Sequence, residues 1–70
     1  MLYIKIMKVK DLIKCLNELG WMEKRVRGSH HQFKHLDGKR TLTVPIHSKE
    51  INEVFAKAIL KQAEDALKEN

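Results

Sequence analysis

The sequence predicts one small α+β domain in which two helices pack on one face of a three-stranded antiparallel sheet, in the order α-β-β-β-α. Two segments carry apolar residues at helical spacing, and the segment between them alternates apolar and polar residues as a strand does. A chain of 70 residues has room for a single domain. A domain of this size buries only about 60% of its unfolded surface, so any active site is expected on an open surface.

The first helix is predicted over residues 9–19, followed by a glycine that can adopt the left-handed conformation ending many helices. The residues of its apolar stripe are Val9, Leu12, Ile13, Leu16 and Leu19. Cys15 borders this stripe, where a small buried thiol is expected. As the only cysteine it cannot form an internal disulfide, and no secretory leader pattern precedes it, so a reducing cytoplasm is the expected location.

Residues 1–6 have two interpretations. The alternation of Leu2, Ile4 and Ile6 favours an extra edge strand, whereas a true start at Met7 would leave six disordered residues before a domain spanning residues 7–70. This apolar stretch is far shorter than the ~20 residues that cross a bilayer, so no membrane interaction is predicted.

The central segment is predicted to form three antiparallel strands. Residues 31–35 and 41–46 alternate in character, and Asp37-Gly38 between them predicts a hairpin with these two residues at the centre of a tight turn. Residues 21–27 are expected to add a third strand, with a bulge or a solvated edge because Trp21 and Val26 have opposite parity. Pro45 lacks an amide donor, which favours an edge position or a bond facing solvent.

Alternation also assigns the two faces of the sheet. The residues expected to face the helices are Phe33, Leu42, Val44 and Ile46, with His31 and His35 on that side or at its border. The residues expected to face away are Gln32, Lys34, Thr41, Thr43 and His47, with His30 sharing their parity. A second helix follows, with apolar spacing from Ile51 to about Leu67 and with Ser48 or Asn52 as its cap.

Positive charge is concentrated in the predicted sheet. The chain has a net charge of +5, and residues 21–47 contain six basic and two acidic residues together with all four histidines. A field of this sign attracts polyanions, either nucleic acid or an acidic protein. A small soluble protein can also be basic without such a partner.

The densest chemical pattern is Gly28-Ser29-His30-His31. Gly28 allows a tight loop, Ser29 supplies a hydroxyl, and a histidine changes charge near neutral pH. In RNA the ribose 2′-hydroxyl can attack its own neighbouring phosphate, so a protein need only move protons and stabilise negative charge. The sequence does not by itself choose His30 over His31, although face parity favours His30.

Four histidines also raise the question of a zinc site. His30 and His31 point to opposite sides of a strand and no cysteine lies nearby, so no metal site is predicted.

The same residues resemble a known family. The matching segments are Gly20-Trp21, residues 27–33, Asp37-Gly38, residues 43–47 and residues 58–63. In order and spacing they are similar to the HicA toxins of bacterial and archaeal toxin-antitoxin pairs, over roughly residues 7–63. Family members often have a glycine after the segment that matches residues 59–63, whereas this chain has Glu64 and is expected to continue its helix.

The resemblance implies a fold like a double-stranded-RNA-binding domain, a metal-independent mRNA interferase activity without a cofactor, and a HicB-type antitoxin as partner. It implies that His30 of the Gly-Ser-His motif is catalytic. We expect Arg27, Gly28, Ser29, Lys34 and His47 to contact RNA, with His47 at the start of the loop before the second helix, where free amides can hold an anion.

Two other functions fit the same residues. A non-catalytic module could bind structured RNA by shape, although only Lys49 stands near the predicted start of the second helix, beside Glu50 and Glu53. Alternatively, the basic face could serve only to dock an acidic protein.

Overall fold

The computed structural model describes residues 4–68, which form an α+β fold with the predicted order of sheet strands and helices. The elements are β1 (Ile6–Lys8), α1 (Val9–Glu18), β2 (Trp21–Arg27), β3 (His30–His35), β4 (Thr41–Pro45), β5 (Glu50–Asn52) and α2 (Glu53–Leu67). Strands β2, β3 and β4 make an antiparallel sheet in that order, and β1 pairs with β5 in a separate two-stranded ribbon. The α-β-β-β-α prediction, and with it the likeness to a double-stranded-RNA-binding domain, is confirmed.

The core lies between the sheet and the two helices. Fully buried Leu12 and Leu16 from α1, with Ala56 and Ala63 from α2, pack against one face of the sheet. The buried sheet residues are Trp21, Phe33, Leu42 and Val44. Along β4 buried and exposed residues alternate strictly, as the sequence predicted. The opposite face of the sheet is covered by no other element of residues 4–68 and is called here the open face.

Helix α1 ends as its glycine predicts. Gly20 has a φ of 94°, and its amide donates to the Asn17 carbonyl at 2.9 Å. Cys15 is half-buried beside the apolar stripe. The chain then enters β2 with Trp21 fully buried.

The β2–β3 hairpin contains the bulge expected from parity. Glu23 pairs with Phe33 and Arg25 pairs with Gln32, so Lys24 has no opposite residue. The extra residue restores the pairing of Val26 with His31 on the helix side. The bulge therefore lies within β2. The residues after it face the opposite side of the sheet from the one they would face in a regular strand that begins at Trp21.

The β3–β4 hairpin is confirmed, but the position of its turn was predicted wrongly. The turn is closed by a hydrogen bond from the Gly38 amide to the His35 carbonyl at 2.9 Å, so Leu36 and Asp37 are its central residues. Gly38 follows with a φ of 74°, and five residues, 36–40, lie between the two strands. Asp37 holds this loop by accepting the Lys39 amide on Oδ1 at 2.8 Å.

Helix α2 begins later than its apolar spacing suggested, because Ile51 lies in β5 and pairs with Met7 of β1. Asn52 is the cap: its Oδ1 accepts the Val54 amide at 2.8 Å. The helix ends at Leu67, as predicted. Of the predicted edge-strand residues, Leu2 lies outside the described residues, Ile4 precedes β1, and Ile6 begins it. Neither helix within residues 4–68 has the length and apolar character needed to span a bilayer.

Candidate active site

The open face of the sheet is organised as rows of side chains that cross its strands. Pairing across the strands gives one row of Arg27, His30 and Pro45 and a second row of Arg25, Gln32 and Thr43. Residues two apart on one face of a strand are about 6.6 Å apart, so the two rows are neighbours. The bulge at Lys24 is what places both arginines on this face.

His30 begins β3 beside a two-residue turn. Arg27 and His30 pair directly, and Gly28 and Ser29 form the turn between them, with a φ of 60° at Gly28. A glycine at the first central position is the pattern of a type II′ turn. The Ser29 carbonyl accepts the Ile46 amide at 2.8 Å, which anchors this end of the hairpin to the segment after β4.

Pro45 stands directly opposite His30 in the edge strand β4. Because Ser29 and Ile46 are a hydrogen-bonded pair, the next pair, His30 and Pro45, is a non-hydrogen-bonded one. A proline here costs the ladder no hydrogen bond, which confirms the expected edge position. Opposite residues in such a pair approach to about 4.5 Å between Cα atoms, so the proline ring borders His30.

A shallow depression of about 200 Å³ surrounds His30. Its lining residues are Arg25, Arg27, His30, Gln32 and Thr43. All of them are exposed. Within residues 4–68, no carboxylate forms an ion pair with either arginine, so both guanidinium groups can meet an anion from solution. The depression can therefore hold a phosphate beside a group able to accept or donate a proton.

The other predicted contact residues lie farther from His30. Lys34 is exposed on the open face, but it pairs with Met22 and Thr41 in a third row and does not line the depression. His47 lines a different, mostly apolar groove beside α2, with Phe55 and Ile59. The structure thus brings Arg27 and the Gly28-Ser29 turn to His30 and leaves Lys34 and His47 outside.

Along the chain, β5 separates His47 from the start of α2 that it was expected to assist. Two amides at the start of α2 have partners: the Glu53 amide donates to the Lys5 carbonyl at 2.8 Å, and the Val54 amide donates to Asn52 Oδ1. Two of the amides expected to hold an anion near His47 therefore already have partners within the protein.

The remaining two histidines lie on the helix side, as predicted. His31 is half-buried, and its Nδ1 lies 2.5 Å from Glu23 Oε1. His35 is half-buried against Trp21, with ring centroids 5.1 Å apart. Both rings contact protein groups. Among residues 4–68 no cluster of three or more His, Cys, Asp or Glu side chains has the arrangement of a metal site.

The carboxylates with shifted titration lie away from the depression. The amide of Lys39, which donates to Asp37, lowers the pKa of that carboxyl, and the charges of His35 and Arg40 lower it further. The hydrogen bond from Lys57, 3.0 Å away, lowers the pKa of Glu53. These groups belong to the β3–β4 loop and to the first turn of α2.

Sequence reasoning did not include three residues of the depression. Gln32 and Thr43 were assigned to the open face by alternation, but nothing in their chemistry singled them out. Arg25 was not expected on the open face, because in a regular strand it would share the helix side with Trp21. The parity conflict between Trp21 and Val26 was the available signal, since a bulge between them reverses the facing of Arg25.

Comparison with known proteins identifies the family of the chain. The sequence model of a family described as the HicA toxin of bacterial toxin-antitoxin systems matches residues 9–64, which contain both helix starts, the whole sheet and the depression. No curated protein matches the chain. The match covers most of the 70 residues. The chain therefore belongs to the HicA toxin family.

Proposed function

We propose that this chain is a metal-independent endoribonuclease that cleaves mRNA with His30 as its catalytic residue. One observation carries the proposal: His30 is exposed on the open face of the sheet, in a depression that it shares with two arginines. RNA supplies its own nucleophile, so a single proton-transferring group beside fixed positive charge meets the chemical requirement. Membership of a toxin family supports a function that harms the cell when unopposed.

The proposed reaction is an internal transfer followed by strand release. The 2′-oxygen forms a bond to the adjacent phosphorus as its proton leaves, and the bond from phosphorus to the 5′-oxygen breaks as that oxygen gains a proton. The products are a 2′,3′-cyclic phosphate and a 5′-hydroxyl end. His30 accepts or donates one of these protons and solvent water takes up or supplies the other, while the guanidinium of Arg27, paired with His30 across the hairpin, stabilises the charge on the phosphate.

The backbone of the Gly28-Ser29 turn keeps the approach to His30 open. Nothing within 4 Å would meet a Cβ at Gly28, so a sugar-phosphate backbone can reach this edge of the sheet. The Ser29 hydroxyl is available for a phosphate contact, while its carbonyl is held by Ile46. Lys34, two rows away on the same face, and His47, at the margin of the sheet, would contact more distant parts of the RNA.

The test compares His30→Gln with His31→Gln. The two substitutions are chemically identical and concern adjacent residues, but His31 faces Glu23 on the helix side. We expect His30→Gln to lower RNA cleavage by at least about 100-fold and to abolish toxicity on expression. His31→Gln should keep both. Equal cleavage by wild type and His30→Gln, with both folded by circular dichroism, would remove the proposal.

Two further measurements test the chemistry. A substrate with a 2′-deoxyribose at the cleaved position should resist cleavage because it lacks the nucleophile. EDTA should leave the rate unchanged, whereas loss of activity restored by a divalent cation would contradict a metal-independent reaction. Binding of structured RNA that leaves it intact, with a steep salt dependence, would instead indicate a non-catalytic RNA-binding module.

A HicB-type antitoxin is the proposed partner, in keeping with the toxin-antitoxin pairing of the family. An antitoxin that covers the open face would exclude RNA from His30. Co-expression with the product of an adjacent reading frame should then abolish cleavage. It should also protect His30 from diethyl pyrocarbonate, a reagent that modifies exposed imidazole. A complex that leaves His30 as reactive as in the free toxin would place the antitoxin elsewhere.

A further inference from the structure

The bulge in β2 determines which residues surround His30. Pairing passes from Glu23 with Phe33 to Arg25 with Gln32, and Lys24 is left without an opposite residue. A regular strand that starts with Trp21 in the core would turn Arg25 and Arg27 toward the helices. With the bulge, both arginines share the open face with His30. Bulges next to active sites commonly re-aim side chains in this way.

Because of the bulge, Arg25 belongs to the second row of side chains, next to the row that contains His30. Gln32 lies between Arg25 on β2 and Thr43 on β4, and all three line the depression together with His30 and Arg27. The separation of about 6.6 Å between the rows is comparable with one nucleotide step along a single strand of RNA. The second row is therefore within reach of a nucleotide that flanks a phosphate held between Arg27 and His30.

The chemistry of the second row suits recognition of a nucleotide. A guanidinium binds phosphate oxygens through two parallel hydrogen bonds. A glutamine carboxamide presents one donor group and one acceptor in a plane, which can distinguish the edges of different bases. Within residues 4–68 no hydrogen bond to another side chain occupies the Gln32 carboxamide, and the residue is exposed.

We propose that the row of Arg25, Gln32 and Thr43 binds the nucleotide next to the cleaved bond and sets the sequence preference of the enzyme. Arg25 binds the phosphate of that nucleotide, Gln32 hydrogen-bonds to the edge of its base, and the Thr43 hydroxyl offers a further contact. This inference rests on the proposed ribonuclease function. It assigns affinity and base choice to the second row and leaves the proton transfer to His30.

The test uses a single-stranded RNA pool with randomised sequence and sequencing of the cleaved ends. The variants are Gln32→Leu, Arg25→Gln and, as a charge-matched control on the exposed surface of α1, Lys14→Gln. Gln32→Leu should still cleave, but with a weakened base preference at one position beside the cleaved bond. Arg25→Gln should raise KM by about 10- to 100-fold with a smaller change in kcat, as expected for loss of a hydrogen bond to a charged group. Lys14→Gln should change neither.

The inference fails if Gln32→Leu keeps the wild-type base preference and Arg25→Gln keeps the KM of Lys14→Gln. Its failure is distinguishable from failure of the proposed function, because wild type would still cleave and His30→Gln would not. Binding of intact RNA in a His30→Gln background separates the two further. Weaker binding by Arg25→Gln than by Lys14→Gln in that background would support the subsite independently of cleavage, and equal binding would count against it.

Discussion

His35 donates a hydrogen bond from Nε2 to the carbonyl oxygen of Leu19, 3.0 Å away, and so joins the β3–β4 hairpin to the end of helix α1. The opposite ring nitrogen, Nδ1, accepts the Asp37 amide at 3.1 Å, which assigns the proton of the neutral ring to Nε2. The ring also stands edge to face against Trp21, at an interplanar angle of 75°. His35 therefore has a structural role, since its ring links β3 to α1, whereas His30 is exposed to solvent.

The position of the His35 ring makes Gly20 hard to replace. A Cβ at Gly20 would lie 2.6 Å from His35 Nε2, and the backbone φ of 94° strains any other residue. We expect Gly20→Ala to lower the free energy of unfolding by about 2–4 kcal/mol, from left-handed strain together with overpacking. Urea unfolding measures this loss. Gly38→Ala is the control, since it has a φ of 74° with nothing near its Cβ and should lose only about 1 kcal/mol. Equal losses would show that the His35 ring moves aside freely.

Asp37 should make the stability of the β3–β4 loop depend on pH. The Lys39 amide and the charge of Arg40, together with the charge of the His35 ring when that ring is protonated, lower the pKa of Asp37 below its ordinary value of 3.8 in the folded state. A carboxyl with a lowered folded-state pKa contributes stability above its ordinary pKa, and this contribution is lost as the pH falls through the lowered value. Asn keeps the Oδ1 acceptor but not the charge that pairs with Arg40. Asp37→Asn should therefore be less stable than wild type at pH 7, and in urea unfolding this difference should narrow as the pH falls below the ordinary value of 3.8. A gap that is constant across this range would contradict the assignment.

Two substitutions can distinguish Asn52 from Ser48, the two residues that the sequence offered as the cap of α2. Asn52→Ala removes the acceptor of the Val54 amide and should cost about 1 kcal/mol of stability, with faster hydrogen exchange at that amide. Ser48→Ala is the matched control, because among residues 4–68 the Ser48 hydroxyl bonds only to the backbone of Glu50, outside the helix. That variant should leave exchange at Val54 unchanged. Faster exchange at Val54 in both variants would mean that the segment before α2 acts as one unit.

The two faces of β4 provide a test of the core. Val44 is fully buried against the helices, while Thr41 on the same strand is exposed on the open face and lies outside the depression. Val44→Ala should lower the free energy of unfolding by about 2 kcal/mol, from lost burial and the cavity left behind. Thr41→Ala should change it by less than about 0.5 kcal/mol. Comparable losses at the two positions would contradict the alternation of faces.

Alternation along the chain was enough to predict much of the site. The pattern around Phe33, Leu42 and Val44 placed these residues in the core and Lys34 and Thr43 opposite them, because successive side chains of a strand point to opposite faces. The same rule put His30 on the open face. The resemblance to HicA toxins then directed attention to His30 as the catalytic residue.

Other features depended on contacts that the local pattern does not contain. Pairing of β1 with β5 joins Met7 to Ile51, far apart in sequence, and it moves the start of α2 past the first apolar residue of the predicted helix. His47 lies two residues after the end of β4, yet it lines the groove beside α2 and not the depression. Such choices are made by which surfaces pack together, so no single segment specifies them.

The sequence by itself determined the order of the two helices and the three sheet strands, the two faces of the sheet and the concentration of positive charge in residues 21–47, because these follow from side-chain periodicity and composition. Only the tertiary structure decided that Lys24 is the bulged residue, and hence that Arg25 and Arg27 stand beside His30. The physical reason is that a bulge is defined by the pairing of two strands: parity within β2 can demand one extra residue, but only the register against β3 selects it.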